Sequence, residues 1–177
     1  IHLYLDQGDN PAEAVAFLSE RYTAVGIVHT IEVKQCLEED WANNWKQYFH
    51  PIPVGERLLI RPVWEEEFDA AGRTVLHLEP GIAFGTGTHE TTRLCLELLE
   101  QYLPQGGSML DVGCGSGILA VAGLLLGAEK AVGVDIDEAA VRTARQNAAL
   151  NGAEGRFTAL CGNLTDKVSG QFDLIAA

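Results

Sequence analysis

The chain has 177 residues, 47% of them hydrophobic and 21% charged, with 12 Lys plus Arg against 25 Asp plus Glu and a formal net charge of −13. Such usage is ordinary for a globular protein long enough to bury a core of its own, and it excludes disorder, collagen and coiled coil. Proteins that grip phosphate backbones concentrate cationic side chains, so no direct nucleic-acid binding is expected, whereas the acidic field suits a basic protein partner.

Ile1, Leu3 and Leu5 alternate with polar or aromatic neighbours, as on a half-buried strand. Neither a basic n-region nor a cleavage site is present there, so no signal peptide is expected. The first residue is not Met, and the sequence is expected to begin partway into a longer chain. Asn10-Pro11-Ala12-Glu13 reads as a helix start: Asn caps, Pro suits the first helical position, and Glu13 follows Asn10 by three. Val15, Leu18 and Tyr22 then fall on one side, and Val25, Ile27, His29, Ile31 and Val33 alternate as a second strand. Residues 1–35 are expected to be the remnant of an N-terminal α+β domain. Trp41 and Trp45, spaced i, i+4, share a helical face and place a linker helix in 36–55, ended by Pro51, Pro53 and Gly55. Residues 57–63 and 74–78 read as strands, with Glu65-Glu66-Glu67 as a solvated loop between them.

From residue 89 the pattern changes. Leu94, Leu96, Leu98, Leu99 and Leu103 predict a helix ended by Pro104 and Gly106-Gly107. Residues 109–112 form a short apolar strand, 116–127 an apolar helix stopped by Gly127, and 131–134 another buried strand. Residues 137–151 form a polar helix ended by Asn151-Gly152, and 157–160 and 172–176 are further strands. Strands alternating with helices at this spacing predict an α/β fold with a doubly wound, mostly parallel sheet. No apolar run approaches the roughly 18 residues of a membrane span, so no membrane partner is expected. Cys36, Cys95, Cys114 and Cys161 are far apart and form no CxxC pair, so neither a metal site nor a disulfide framework is expected. A reducing, cytoplasmic setting follows.

Three runs carry chemistry. Asp111-Val112-Gly113-Cys114-Gly115-Ser116-Gly117 follows a strand and opens a helix. Glycines let the backbone turn tightly and approach a ligand, and the helix start presents unpaired N–H groups. Asp135, in Val134-Asp135-Ile136-Asp137, ends the next strand, where a carboxylate can accept both hydroxyls of a ribose. Asp137 reads as a helix N-cap. Gly115-Ser116-Gly117-Ile118-Leu119-Ala120 also satisfies the loose pattern of dinucleotide binders, which keeps a nicotinamide-dependent oxidoreductase open. Against it stands Asp111, two residues before the first glycine, where it would repel a pyrophosphate and favour a cation or ammonium group. The third run, EPGIAFGTGTHETT from Glu79 to Thr92, gathers three glycines and four threonines ahead of a helix.

Asp111-x-Gly-x-Gly-x-Gly resembles the nucleotide-binding turn of class I S-adenosylmethionine-dependent methyltransferases, whose ligand has a sulfonium and an α-ammonium but no phosphate. EPGIAFGTGTHETT is similar to the signature of the PrmA family, which modifies large-subunit ribosomal protein eleven. So are Asp40-Trp41 through Trp45, Phe49-His50-Pro51, Gly55-Glu56-Arg57-Leu58, and DVGCGSGILAVAG with GVDID. The resemblance covers residues 38–177, and 1–34 fit the family's small recognition domain loosely.

The resemblance implies a Rossmann-like, S-adenosylmethionine-binding methyltransferase domain over 56–177. Thr92, Gly113 and Asp135 match the family's cofactor contacts, with Asp111 and Gly115 in the same turn. Thr88 and His89 are expected to wall the methionine end, His89 as a wall or cap rather than a base. No residue is assigned as general base. The implied reaction is methyl transfer to lysine side chains, and to an α-amino group, of a basic ribosomal protein. The family continues beyond residues 173–177 with an Asn beside the reactive methyl and three further strands, so a truncated sheet is expected, its Leu174-Ile175 edge prone to association. The competing readings are a methyltransferase of the same fold with another protein or small-amine acceptor, the oxidoreductase, and a non-catalytic nucleoside-binding fragment.

Overall fold

The structure, a computed structural model, describes Leu5 and residues 10–33, 50–65, 69–79 and 89–177. It comprises two compact units, Ile1–Lys46 and Gln47–Ala177.

In the first unit, helix α1 (Pro11–Ala24) starts as its sequence dictates. The Asn10 side chain accepts from the Ala12 N–H at 3.1 Å, and Pro11 fills the first turn, where its missing N–H costs nothing. The chain leaves the helix at Gly26, φ +73°, with the Ile27 N–H on the Tyr22 carbonyl. Among the described residues the strand expected over 25–33 is not seen: these residues pair in a ladder with no other described residue. Alternation gives a segment one apolar face, but a strand also needs an edge to pair with. His29 instead packs back on α1, its ring bonded to Ser19 Oγ at 2.9 Å and 5.2 Å from the Tyr22 ring. Apart from Leu5, the strand expected at the start lies outside the described residues, as do Trp41 and Trp45.

The second unit contains two sheets. Strands β1 (Ile52–Val54), β2 (Leu58–Pro62) and β3 (Thr74–Leu78) form a three-stranded sheet in that order, β1–β2 antiparallel and β2–β3 parallel. Helix α2 (Glu90–Tyr102) leads into an alternation of β4 (Ser108–Val112), α3 (Ile118–Leu126), β5 (Lys130–Asp135), α4 (Glu138–Leu150), β6 (Phe157–Cys161) and β7 (Leu174–Ala176). These four strands are all parallel, in the order β6-β5-β4-β7. The expected parallel α/β sheet is present. Strand order reverses at β4, and such a switch point opens a crevice at the carboxyl ends of the strands.

The helices differ as their sequences do. Helix α3, apolar all round, is buried on nearly every side, touching β3, β4 and β5. Helix α2 buries Thr92, Leu96 and Leu99 and turns Leu94 and Leu98 outward. Helix α4 buries a narrow face of small residues, Ala140, Ala144 and Ala148 with Val141 and Asn147. No helix among the described residues is long and apolar enough to cross a membrane.

Candidate functional site

The register Asp111↔Gly133 and Val112↔Val134 sets the tip of β4 beside the tip of β5. Beyond it the chain turns through Gly113, Gly115 and Gly117, at φ +76°, +52° and +77°, the left-handed region where a side chain is strained. The turn leans on β5: the Gly113 and Cys114 N–H groups both donate to the Val134 carbonyl, at 2.8 and 2.9 Å. A Cβ at Gly117 would lie 2.9 Å from the Ala144 Cβ, so this glycine lets α4 approach. A Cβ at Gly113 would meet nothing within 4 Å among the described residues.

Asp135 joins the two tips. Its Oδ2 accepts from the Gly115 N–H at 2.8 Å and its Oδ1 from the Asp137 N–H at 2.9 Å. Each carboxylate oxygen retains acceptor capacity beyond these bonds. Asp137 caps α4 as expected, accepting from the Ala139 N–H at 2.8 Å. Asp111 is 2% exposed, and its Oδ2 accepts from the Ala120 N–H at 3.2 Å, in the first turn of α3. A helix start favours negative charge, but burial dominates. Desolvation pushes the Asp111 carboxyl up to about 7 against the pull of the Ala120 N–H, and the charge of Asp135 adds to the rise. An approaching cation would reverse that shift and draw the carboxyl into its charged form. Cys114, 5% exposed, has its thiol pushed up to about 12 by burial and then by the charges of Asp111 and Asp135.

The structure thus brings Asp111, Gly113, Gly115 and Asp135 together at two adjacent strand tips. Thr92 is buried, 8% exposed, on the inner face of α2. His89 caps α2: its Nδ1 accepts from the Thr91 N–H at 3.3 Å and lies 2.7 Å from Thr91 Oγ1. Thr88, with the rest of 80–88, lies outside the described residues. No His, Cys, Asp and Glu cluster that could hold a metal occurs among the described residues.

One participant escapes the sequence reading. Asn147 of α4 is 0% exposed; its Oδ1 accepts from the Glu79 N–H at 2.8 Å, and its Nδ2 donates to the Glu79 carbonyl at 3.0 Å and the Ser116 carbonyl at 2.9 Å. One turn later Asn151 accepts from the His77 N–H at 2.8 Å and donates to the His77 and Asn147 carbonyls at 2.7 and 2.8 Å. The available signal was helical spacing: both amides fall on the face that carries Val141, Ala144 and Ala148.

The family model described as "Ribosomal protein L11 methyltransferase (PrmA)" matches residues 1–177. A curated relative of that name from Clostridium perfringens (strain 13 / Type A) is 42% identical over 180 residues, covering 98% of this chain and 57% of the relative. Another, from Pelotomaculum thermopropionicum, is 48% identical over 152 residues, covering 86% of this chain and 49% of the relative. A crystal structure described as ribosomal protein L11 methylase from Lactobacillus delbrueckii subsp. bulgaricus aligns with a TM-score of 0.66 at 37% identity, covering 72% of this chain and 65% of that one. The chain spans about half the length of the curated relatives it matches. The match runs through the glycine turn and both strand tips, and on it this chain belongs to the ribosomal protein L11 methyltransferase (PrmA) family.

Proposed function

We propose that this chain carries the cofactor-binding part of an S-adenosylmethionine-dependent protein methyltransferase that modifies lysine side chains, and an α-amino group, of large-subunit ribosomal protein eleven in the cytoplasm. The observation that carries this reading is the pair of carboxylates at adjacent strand tips, Asp135 held by the Gly115 N–H and Asp111 by the Ala120 N–H. The residues present fit the cofactor. No described residue crowds Gly113, and Asp135 is anchored by two backbone N–H groups with lone pairs to spare. Asp111 is a buried acid that a cation would stabilise. In this reading Asp135 accepts the sugar hydroxyls, the Gly113 and Gly115 backbone lines the turn, and Asp111 faces the ammonium end. Thr92 contacts the cofactor from α2, and Thr88 and His89 wall the methionine end. Residues 1–35 belong to a substrate-recognition domain, 36–55 to a linker and 56–177 to the cofactor domain.

When bound, S-adenosylmethionine supplies an electrophilic methyl carbon on a sulfonium. The chain's own contribution is placement. Holding two reactants in line is worth roughly 7–11 kcal/mol in well-oriented systems. The acceptor must arrive as a neutral amine, and with a reference pKa of about 10.4 deprotonating a lysine at pH 7 costs about 4–5 kcal/mol. The like charge of a neighbouring sulfonium lowers that cost. The net charge of −13 favours encounter with a basic protein.

Two measurements test this reading. Calorimetry should show binding of S-adenosylmethionine and none of NAD, and preference for NAD would overturn the cofactor. The full natural chain should transfer labelled methyl to ribosomal protein eleven in a mixture of purified ribosomal proteins. Label appearing only in another protein would overturn the substrate.

A further inference from the structure

We propose that Asn147 is a positioning residue for the cofactor turn: its buried amide ties the Ser116 carbonyl to the Glu79 peptide at the end of β3 and so fixes the direction of the Gly115 N–H. The inference rests on the cofactor reading above.

Three glycines at positive φ in five residues cannot hold a single shape by themselves, because glycine visits that region and its mirror about equally. One bond inside the turn, from the Gly117 N–H to the Cys114 carbonyl at 2.7 Å, closes it, and bonds from outside select how it is oriented. The Val134 carbonyl fixes the start of the turn through the Gly113 and Cys114 N–H groups, and Asp135 takes the Gly115 N–H. Ser116 comes next, between the N–H that meets Asp135 and the left-handed cap of α3 at Gly117. Its carbonyl is held by Asn147 at 2.9 Å.

Both amide hydrogens of Asn147 and its oxygen are engaged, all with main-chain groups. Toward β3 the amide accepts from the N–H and donates to the carbonyl of a single residue, Glu79, as a neighbouring strand would. Asn151 does the same to His77, two residues earlier on the same edge. The two asparagines therefore form a side-chain ladder along β3, but only Asn147 reaches the turn. Truncating Asn147 would leave the part-buried N–H and carbonyl of Glu79 and the buried carbonyl of Ser116 without this partner. Truncating Asn151 would disturb β3 and leave the Ser116 bond in place. The molecule thus contains its own control for general packing.

The test uses the full natural chain. Asn147→Ala, Asn147→Asp and Asn151→Ala are compared in urea denaturation, in calorimetric affinity for S-adenosylmethionine, and in KM for each substrate. Asn147→Asp keeps the shape and the acceptor toward the Glu79 N–H while losing the amide donors, so it serves if the alanine variant does not fold. Both kinds of site should lower the denaturation midpoint. Only the Asn147 variants should weaken S-adenosylmethionine by about tenfold or more, with its KM rising in parallel and the KM of the protein substrate unchanged. Asn151→Ala should stay within about twofold of the parent affinity. A folded Asn147 variant with parental affinity, or equal loss in the Asn147 and Asn151 variants, would overturn the inference. A parent chain that binds no S-adenosylmethionine would instead overturn the cofactor reading beneath it.

Discussion

At the tip of β4 the Asp111 carboxyl is buried and meets one backbone N–H, that of Ala120. At the tip of β5 the Asp135 carboxylate is half-buried and accepts two, from Gly115 and Asp137. The two acids stand on adjacent parallel strands, yet their surroundings differ. Asp111 has almost no water to stabilise its charge, so it responds to whatever cation or proton comes near. Asp135 spends one lone pair of each oxygen on the backbone, which fixes its orientation while leaving a face for other donors. In the proposed cofactor reading, that divergence lets one acid answer a cation and the other hold hydroxyl donors.

The largest expected effect tests the burial of Asp111. Its folded-state pKa rises from 3.8 to about 7, so between those values the folded chain holds a proton that the unfolded chain has released. Stability therefore falls as pH rises through that window, by on the order of 4 kcal/mol, and levels off above it. Asp111→Asn should abolish this fall. Urea midpoints recorded from pH 4 to pH 8 should show the parent losing stability relative to the variant, and parallel pH profiles would mean that the carboxyl is solvated.

The next effect concerns Asp135. Its replacement by Ala should weaken S-adenosylmethionine by about 1–3 kcal/mol, the range for a hydrogen bond to a charged group. Unchanged affinity by calorimetry would place the sugar elsewhere. The smallest sharpens the contrast between neighbours. Asp137→Ala removes the cap of α4 and should cost about 1 kcal/mol of unfolding free energy while leaving the affinity intact. If it weakened binding as much as Asp135→Ala, the ligand would extend beyond the tip of β5.

The parallel sheet was legible because β4, β5 and β6 are short apolar runs bounded by glycine and polar turns, and because helical spacing intervenes each time. Burial on both faces leaves such strands little choice of residue. Helix α3 begins two residues later than its apolar run, since Gly117 in the left-handed region cannot be its first helical residue. Over 25–33 alternation records a face and not a partner, and among the described residues no ladder forms there. At the site, the glycine turn and both acids could be placed by their distance from strand ends. Asn147 was harder to place: its helical spacing marks the buried face, but its bond to Glu79 joins residues 68 apart in sequence, which spacing does not show. The family-specific run of 80–88 lies outside the described residues, so its threonines stand on sequence alone.

Cys114 has a practical consequence for anyone labelling the molecule. Alkylating and oxidising agents attack the thiolate, and at neutral pH a thiol pushed up to about 12 presents almost none. Of the cysteines described, Cys95 and Cys161 are only half-buried and should take a fluorophore first. Modification of Cys114 must wait for the strand tips to part, so the rate of its slow labelling becomes a clock for the opening of β4 from β5.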